Sequence, residues 1–225
     1  MARSNYAQGR VGMSVDSRST FISKTYTHLF GAVLALVGID YLLLNNEQAR
    51  DFGYSMMGHW MWVMGAYMIV SMAASYIAHR VENNGLQYLA LGAYVVVEAV
   101  ILLPLLLMAQ HKVSGSNNLI FEAAMITLSG FFALTAIAFI TRKDFSFLRG
   151  VIMFGFVMSF VLIIASWIFG FHLGVWFSVA MIALAGGMIL YETSNIIRDY
   201  PEDRYVGASL TLFASLAMLF WYVLR

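Results

Sequence analysis

Apolar residues run along this chain in seven long blocks, at 26–44, 59–78, 86–108, 119–141, 150–169, 173–193 and 206–224, separated by short polar stretches. A helix rises about 1.5 Å per residue, so roughly 20 residues cross the hydrocarbon core of a bilayer. Each block has about that length and predicts one transmembrane helix. The expected fold is therefore all-α and polytopic, with seven spans. Composition agrees: 61% of the 225 residues are hydrophobic and 11% are charged, and the mean hydropathy is +0.77. A water-soluble domain of this size cannot hide that much apolar surface. The expected division is a polar tail over 1–25 and a seven-helix domain over 26–225, with almost nothing left for a soluble domain.

Charge sets the expected orientation. The first 25 residues carry Arg3, Arg10, Arg18 and Lys24 among Ser, Gly and Asn, and lack the short apolar core of a cleavable secretion signal. With the amino terminus inside, those four join Arg80, Arg142, Lys143, Arg149, Arg198 and Arg204 on the cytoplasmic side, against Arg50, Lys112 and Arg225 outside. Ten against three is a firm positive-inside bias. Seven crossings then put the carboxyl terminus on the outer, periplasmic or external, side. The net charge of +1 leaves no basic face beyond the membrane-flanking loops, which argues against nucleic acid as a partner.

The last block is rich in small and hydroxylic residues. Gly207, Thr211 and Ser215 recur at i, i+4, i+8, with Ala208, Ser209, Ala214 and Ala217 around them. Small residues let backbones approach closely, and their spread around the helix predicts packing on several sides, as in a central post. The sixth block offers Ala183, Ala185, Gly186 and Gly187, the first and last a small-xxx-small pair, so these two helices are expected to touch. Ordinary membrane packing without function explains the same residues.

Four carboxylates lie in or beside the spans, at depths that form a ladder. Glu192 falls near the inner face, Glu98 near mid-membrane, and Asp40 and Glu122 toward the outer face. Glu98 lies about 18 Å into its span, too deep to reach either interface. It must be protonated, paired or hydrated. A neutral Glu98 bonded to a neighbouring helix and a Glu98 that passes ions or protons remain alternatives. Asp40 and Glu122 read as interface residues. Arg80 closes the second block on the same side as Glu192, so a salt bridge between them would shut an inner mouth and open on protonation. Arg80 as a topology determinant alone is the other reading.

Several chemistries find no residues. There is no cysteine, hence no disulfide, thiolate site or cysteine nucleophile. The lysines are Lys24, Lys112 and Lys143, which leaves the last helix without a Schiff-base lysine for retinal. His28, His59, His79, His111 and His172 are scattered, with no HExxH pair. Gly207-Ala208-Ser209 lacks the final Gly of a nucleophile elbow. No metal, cofactor or enzymatic activity is expected. Trp60, Met61, Trp62 and Met64 read as interfacial and lipid-facing bulk, and Pro201 is expected to start the last helix from its first turn.

Three stretches resemble the Bax inhibitor-1 family of seven-helix membrane proteins: Phe21-Ile22-Ser23-Lys24-Thr25-Tyr26, then Thr141-Arg142-Lys143-Asp144-Phe145-Ser146-Phe147-Leu148, then Leu190-Tyr191-Glu192-Thr193-Ser194-Asn195-Ile196-Ile197 continuing through Ala208-Ser209-Leu210-Thr211-Leu212-Phe213. Their order and the helix spacing extend the likeness over about 20–225. The resemblance implies six helices around a central seventh. In calcium-leak members it implies two acids, on the sixth and seventh helices, that share a proton and gate a passive cation path. Glu192 matches the first of these, with Glu for the usual Asp. Ser215 stands where the second acid would be, and a carboxylate and a hydroxyl cannot share a proton as two carboxylates do. Serine there is the pattern of bacterial inner-membrane members that resemble regulators of a membrane-anchored ATP-dependent quality-control protease, in which the polar tail is implicated in protease contact. Two functions follow as expectations: a modulator that binds such a protease, or a passive, pH-sensitive cation leak for calcium through Glu192, Glu98 and the outer acids, with Arg80 as counter-charge.

Overall fold

A computed structural model of the chain describes residues 15–59, 63, 65, 69–74, 76–77, 83–112 and 118–225. Its helices are α1 (Val15–Leu44), α2 (Glu47–Gly58), α3 (Asn84–Lys112), α4 (Leu119–Thr141), α5 (Leu148–Phe169), α6 (Val175–Arg198) and α7 (Tyr205–Leu224), with a 3₁₀ turn (Glu202–Arg204) before α7. The described residues contain no strand. Among the described residues, six helices are long and apolar enough to cross a membrane, all of these except α2. The chain is thus an all-helical membrane protein. The second predicted block, 59–78, lies largely outside the described residues, as does Arg80. The described part of that block, 63, 65, 69–74 and 76–77, is helical, and Val70, Ala74 and Ile77 join the main core.

α7 is packed on several sides. It touches α1, α3, α4 and α6, and buries Gly207, Ala208, Ser209, Thr211, Ser215 and Ala217. In lipid there is little hydrophobic drive between helices, so close backbone approach and polar contacts hold them together. The expected contact between the last two spans is present, but the pair Ala183 and Gly187 does not explain it. Ala183 is exposed, and a Cβ on the neighbouring Gly186 would meet Leu134 of α4 at 3.3 Å. Buried Ala185 and Ile189 carry α6 into the core it shares with α7.

Two elements depart from the sequence reading. α1 begins at Val15 rather than 26, because Phe21 and Thr25 are buried at the start of the stripe that continues with Leu29 and Ala32, so the helix includes 15–25. Pro201 precedes α7 by a 3₁₀ turn instead of opening the helix itself. The stretch 47–58, between two expected spans, forms α2. Asn46 caps it by accepting from Ala49 N at 3.0 Å. Its Gly53 and Met56 are buried against α3, where a Cβ on Gly53 would stand 2.8 Å from Leu107 Cδ1. At the periphery, α5 packs on α6 and buries none of its residues.

Candidate functional site

The polar chemistry gathers where α1 begins and α6 ends. The last turn of any helix leaves carbonyls without donors, and in α6 a side chain from the far end of the sequence fills that need. Arg18 donates through Nη1 to Tyr200 O at 2.6 Å and through Nη2 to Arg198 O at 2.5 Å. Its Nε lies 3.9 Å from Glu202, and its guanidinium sits over the Phe21 ring at 5.3 Å. Phe21 in turn stacks on Tyr200, centroids 6.1 Å apart. A cation at a helix carboxyl terminus also meets the negative end of the helix dipole.

The connection between α4 and α5 is tied to the same place. Ser194 Oγ donates to Lys143 O at 3.1 Å and accepts from Phe145 N at 3.4 Å. Asp144 accepts from Ser146 N at 2.8 Å and pairs with Arg198 Nη2 at 2.8 Å. The Arg198 guanidinium, then the turn formed with Ser146, hold the Asp144 carboxyl down to about 2. Arg142 enters this connection in the left-handed region, at φ 49°, and its N–H closes α4 on Ala138 O at 3.0 Å. The three stretches that carry the family likeness therefore meet at one end of the bundle.

Glu192 sits two residues before Ser194 on α6 and is half-buried. Its charge reaches the Tyr200 phenol, which burial first, and Glu192 second, push up from the ordinary tyrosine value, with Arg204 opposing them. Tyr200 thus lies between the fields of an acid and a base. Tyr26, Thr135 and Thr193 bring three buried hydroxyls together between α1, α4 and α6, in the turn beside Glu192.

Ser215 is fully buried, and its hydroxyl donates to Thr211 O in its own helix at 3.1 Å. Ser209 and Thr211 do the same toward Val206 O and Ala208 O. Back-bonding of this kind satisfies a hydroxyl locally, so these side chains fill helix interfaces. Glu98, 3% exposed, is not isolated at mid-membrane: it faces Asp40 of α1 closely enough for their charges to interact. Asp40, read from the sequence as an interface residue, has Oδ1 buried and accepting no hydrogen bond among the described residues. Glu122 is exposed in the first turn of α4, where a carboxylate suits the helix amino terminus.

Residues without a sequence-level role also matter here. Gln87 of α3, buried, accepts from Gly207 N at 3.0 Å and so caps α7. His28 Nε2 lies 2.8 Å from Tyr88 Oη, and Tyr88 Oη 3.3 Å from Tyr205 Oη, joining α1, α3 and α7. Arg18, Asp144, Ser194 and Arg198 all fall in or beside the motif stretches, which was the available signal for them.

A polytopic helical membrane protein whose three motif stretches converge on one end of the bundle is the class that the fold and site define. The family model described as inhibitor of apoptosis-promoting Bax1 matches residues 18–225, and the chain belongs to that Bax inhibitor-1 family. It is 37% identical over 111 residues, 48% of this chain and 49% of the relative, to the Modulator of FtsH protease YccA of Escherichia coli K12. It is 36% identical over 115 residues, 49% of this chain and 42% of the relative, to Bax inhibitor 1 of Schizosaccharomyces pombe. A longer match, 27% identical, covers 92% of this chain and 83% of Protein LIFEGUARD 4 of Arabidopsis thaliana. The chain spans about half the length of the bacterial and yeast relatives. The Escherichia coli relative is named as a modulator and the yeast relative as an inhibitor.

Proposed function

We propose that this chain is a non-enzymatic modulator of a membrane-anchored ATP-dependent quality-control protease, acting by direct binding. In this reading it lies in a bacterial inner membrane with seven spans, six of them around α7, the amino terminus cytoplasmic and the carboxyl terminus periplasmic. The α4–α5 connection carries the proposal. Arg142, Lys143 and Phe147 are exposed there, while Ser194 and Arg198 hold the backbone in place, which is how a rigid scaffold presents a binding loop. The name of the Escherichia coli relative supports the choice of partner. The test is co-purification of the full chain with the protease from native membranes and cleavage of a membrane substrate with both proteins reconstituted. Lys143→Glu combined with Phe147→Ala should lower association about tenfold, the scale of one or two lost hot-spot contacts. Deletion of residues 2–14, which spares α1, should weaken it further. Unchanged association in both, or an unchanged cleavage rate on adding the chain, overturns the reading.

A passive cation leak is the second reading, favoured by the Asp40–Glu98 relationship inside the bundle and by Glu192 lying half-buried beside Tyr200. Purified protein in calcium-loaded vesicles decides it. Flux that rises on acidification and falls in Glu192→Gln supports a leak, and vesicles that stay sealed remove it.

A further inference from the structure

A cavity of about 330 Å³ at the start of α1 is lined by Ser17, Thr20, Phe21 and Lys24, and by Glu202 of the 3₁₀ turn. Positions 17, 20, 21 and 24 are i, i+3, i+4 and i+7, one stripe of a helix. Two hydroxyls, a ring and an ammonium are thus directed to one place. Opposite them stands a carboxylate.

Depth locates this cavity relative to the bilayer. α1 has 30 residues, about 45 Å of helix against roughly 30 Å of hydrocarbon. Its far end is fixed by Asn45, Asn46 and Glu47, which follow Leu44 at once. Counting back from Leu44, the hydrocarbon ends near Lys24 and the stripe 17–24 lies in the head-group layer. Below Lys24 on the same helical face come Gly31, Ala35 and Gly38, all exposed. A Cβ on either glycine would meet nothing within 4 Å among the described residues. Leu34, 55% exposed, borders this shallow strip. Such a strip leaves room for an acyl chain running down from Lys24.

The charges select the head group. Lys24 Nζ is steadied over the Tyr205 ring at 5.2 Å. Glu202 Oε1 is buried and accepts no hydrogen bond among the described residues. Its neighbour Arg18 offers only Nε at 3.9 Å, the two terminal nitrogens being given to carbonyls. A phosphodiester answers Lys24, and an N–H donor of positive charge answers Glu202. We propose that this cavity binds a phospholipid with a zwitterionic, primary-amine head group, phosphatidylethanolamine in class, with the phosphate at Lys24 and the ammonium at Glu202. A quaternary choline cannot donate to Glu202, and an anionic glycerol head group offers it hydroxyls without the positive charge of an ammonium.

Native mass spectrometry of the full chain, equilibrated with phosphatidylethanolamine, phosphatidylcholine or phosphatidylglycerol, tests this. The parent should retain the ethanolamine lipid about tenfold better than the choline lipid, since charge-assisted hydrogen bonds are at stake. Lys24→Met should reduce retention by about the same factor, Lys24→Arg should restore it, and Glu202→Gln should erase the preference for ethanolamine over choline. If Lys24→Met does not fold, the loss of head-group preference in Glu202→Gln decides the matter alone. Equal retention of the three lipids by the parent, or a preference for the glycerol lipid, overturns the proposal. Displacement of the lipid by millimolar inorganic phosphate or free phosphoethanolamine overturns the assignment to lipid. Retention that emerges only after deletion of residues 2–14 gives the cavity to the chain's own tail and overturns it as well.

Discussion

Asp144 and Arg198 meet at 2.8 Å, although Asp144 follows α4 and Arg198 ends α6, so one ion pair ties a loop to a helix end. The Asp144 carboxyl is held at about 2, against an ordinary 3.8. A carboxyl with a lowered folded value contributes stability above its unfolded value and loses it as the pH falls through the folded one. Thermal unfolding in detergent should therefore show an acid-side loss between about pH 4 and pH 2 that is absent in Asp144→Asn. Because the pair is open to solvent, added salt should shrink the difference. An identical acid limb in both proteins would contradict the assignment.

Arg18 bridges the carbonyls of Arg198 and Tyr200, tying α1 to the end of α6. Arg18→Ala should lower the unfolding free energy by about 2 kcal/mol, the scale of charged hydrogen bonds left unmade. Arg18→Lys should recover little, since a single ammonium does not reproduce the guanidinium fork. Equilibrium unfolding followed by tryptophan fluorescence reads both.

Gly53 allows α2 to lie on α3. A methyl there would meet Leu107 Cδ1 at 2.8 Å and Leu103 Cγ at 3.0 Å, and both leucines are fully buried. Gly53→Ala should cost about 1–3 kcal/mol, as overpacking does. Gly31→Ala, with open space in front of it, should be neutral or stabilising by about 0.5–1 kcal/mol. The contrast between the two variants, measured as shifts in melting temperature, is the check.

Asp40 and Glu98 should behave as one unit. A double-mutant cycle with Asp40→Asn and Glu98→Gln is expected to show a non-zero coupling of about 0.5 kcal/mol or more, as for nearby groups whose charges interact. Strict additivity would mean that the two acids do not sense each other.

The spans were legible because lipid imposes one rule everywhere: about 20 apolar residues per crossing. The blocks at 86–108, 119–141, 150–169 and 206–224 all fall within helices of matching extent. What the rule could not see was structure outside hydrocarbon. α2 mixes Glu47, Arg50 and Asp51 with a glycine and is too short to span, so only its contact with Leu103 and Leu107 explains it. The early start of α1 likewise depends on Phe21 reaching Tyr200, nearly the whole chain away. Acids raise the same difficulty. Hydropathy gave Asp40 and Glu98 separate depths, but which faces of α1 and α3 turn toward each other is a property of packing. Glu192 was visible as a charge at a span's end, whereas its neighbour Tyr200 was not.

α5 has no buried residue, and a Cβ on its Gly155 would lie 2.6 Å from Leu184 of α6. A span that answers to lipid on nearly every side takes its tilt from the thickness of the bilayer around it. Moving the protein between thin and thick membranes is therefore expected to tilt α5 more readily than the buried α7. Lipid acyl length becomes a mechanical input to one edge of the molecule.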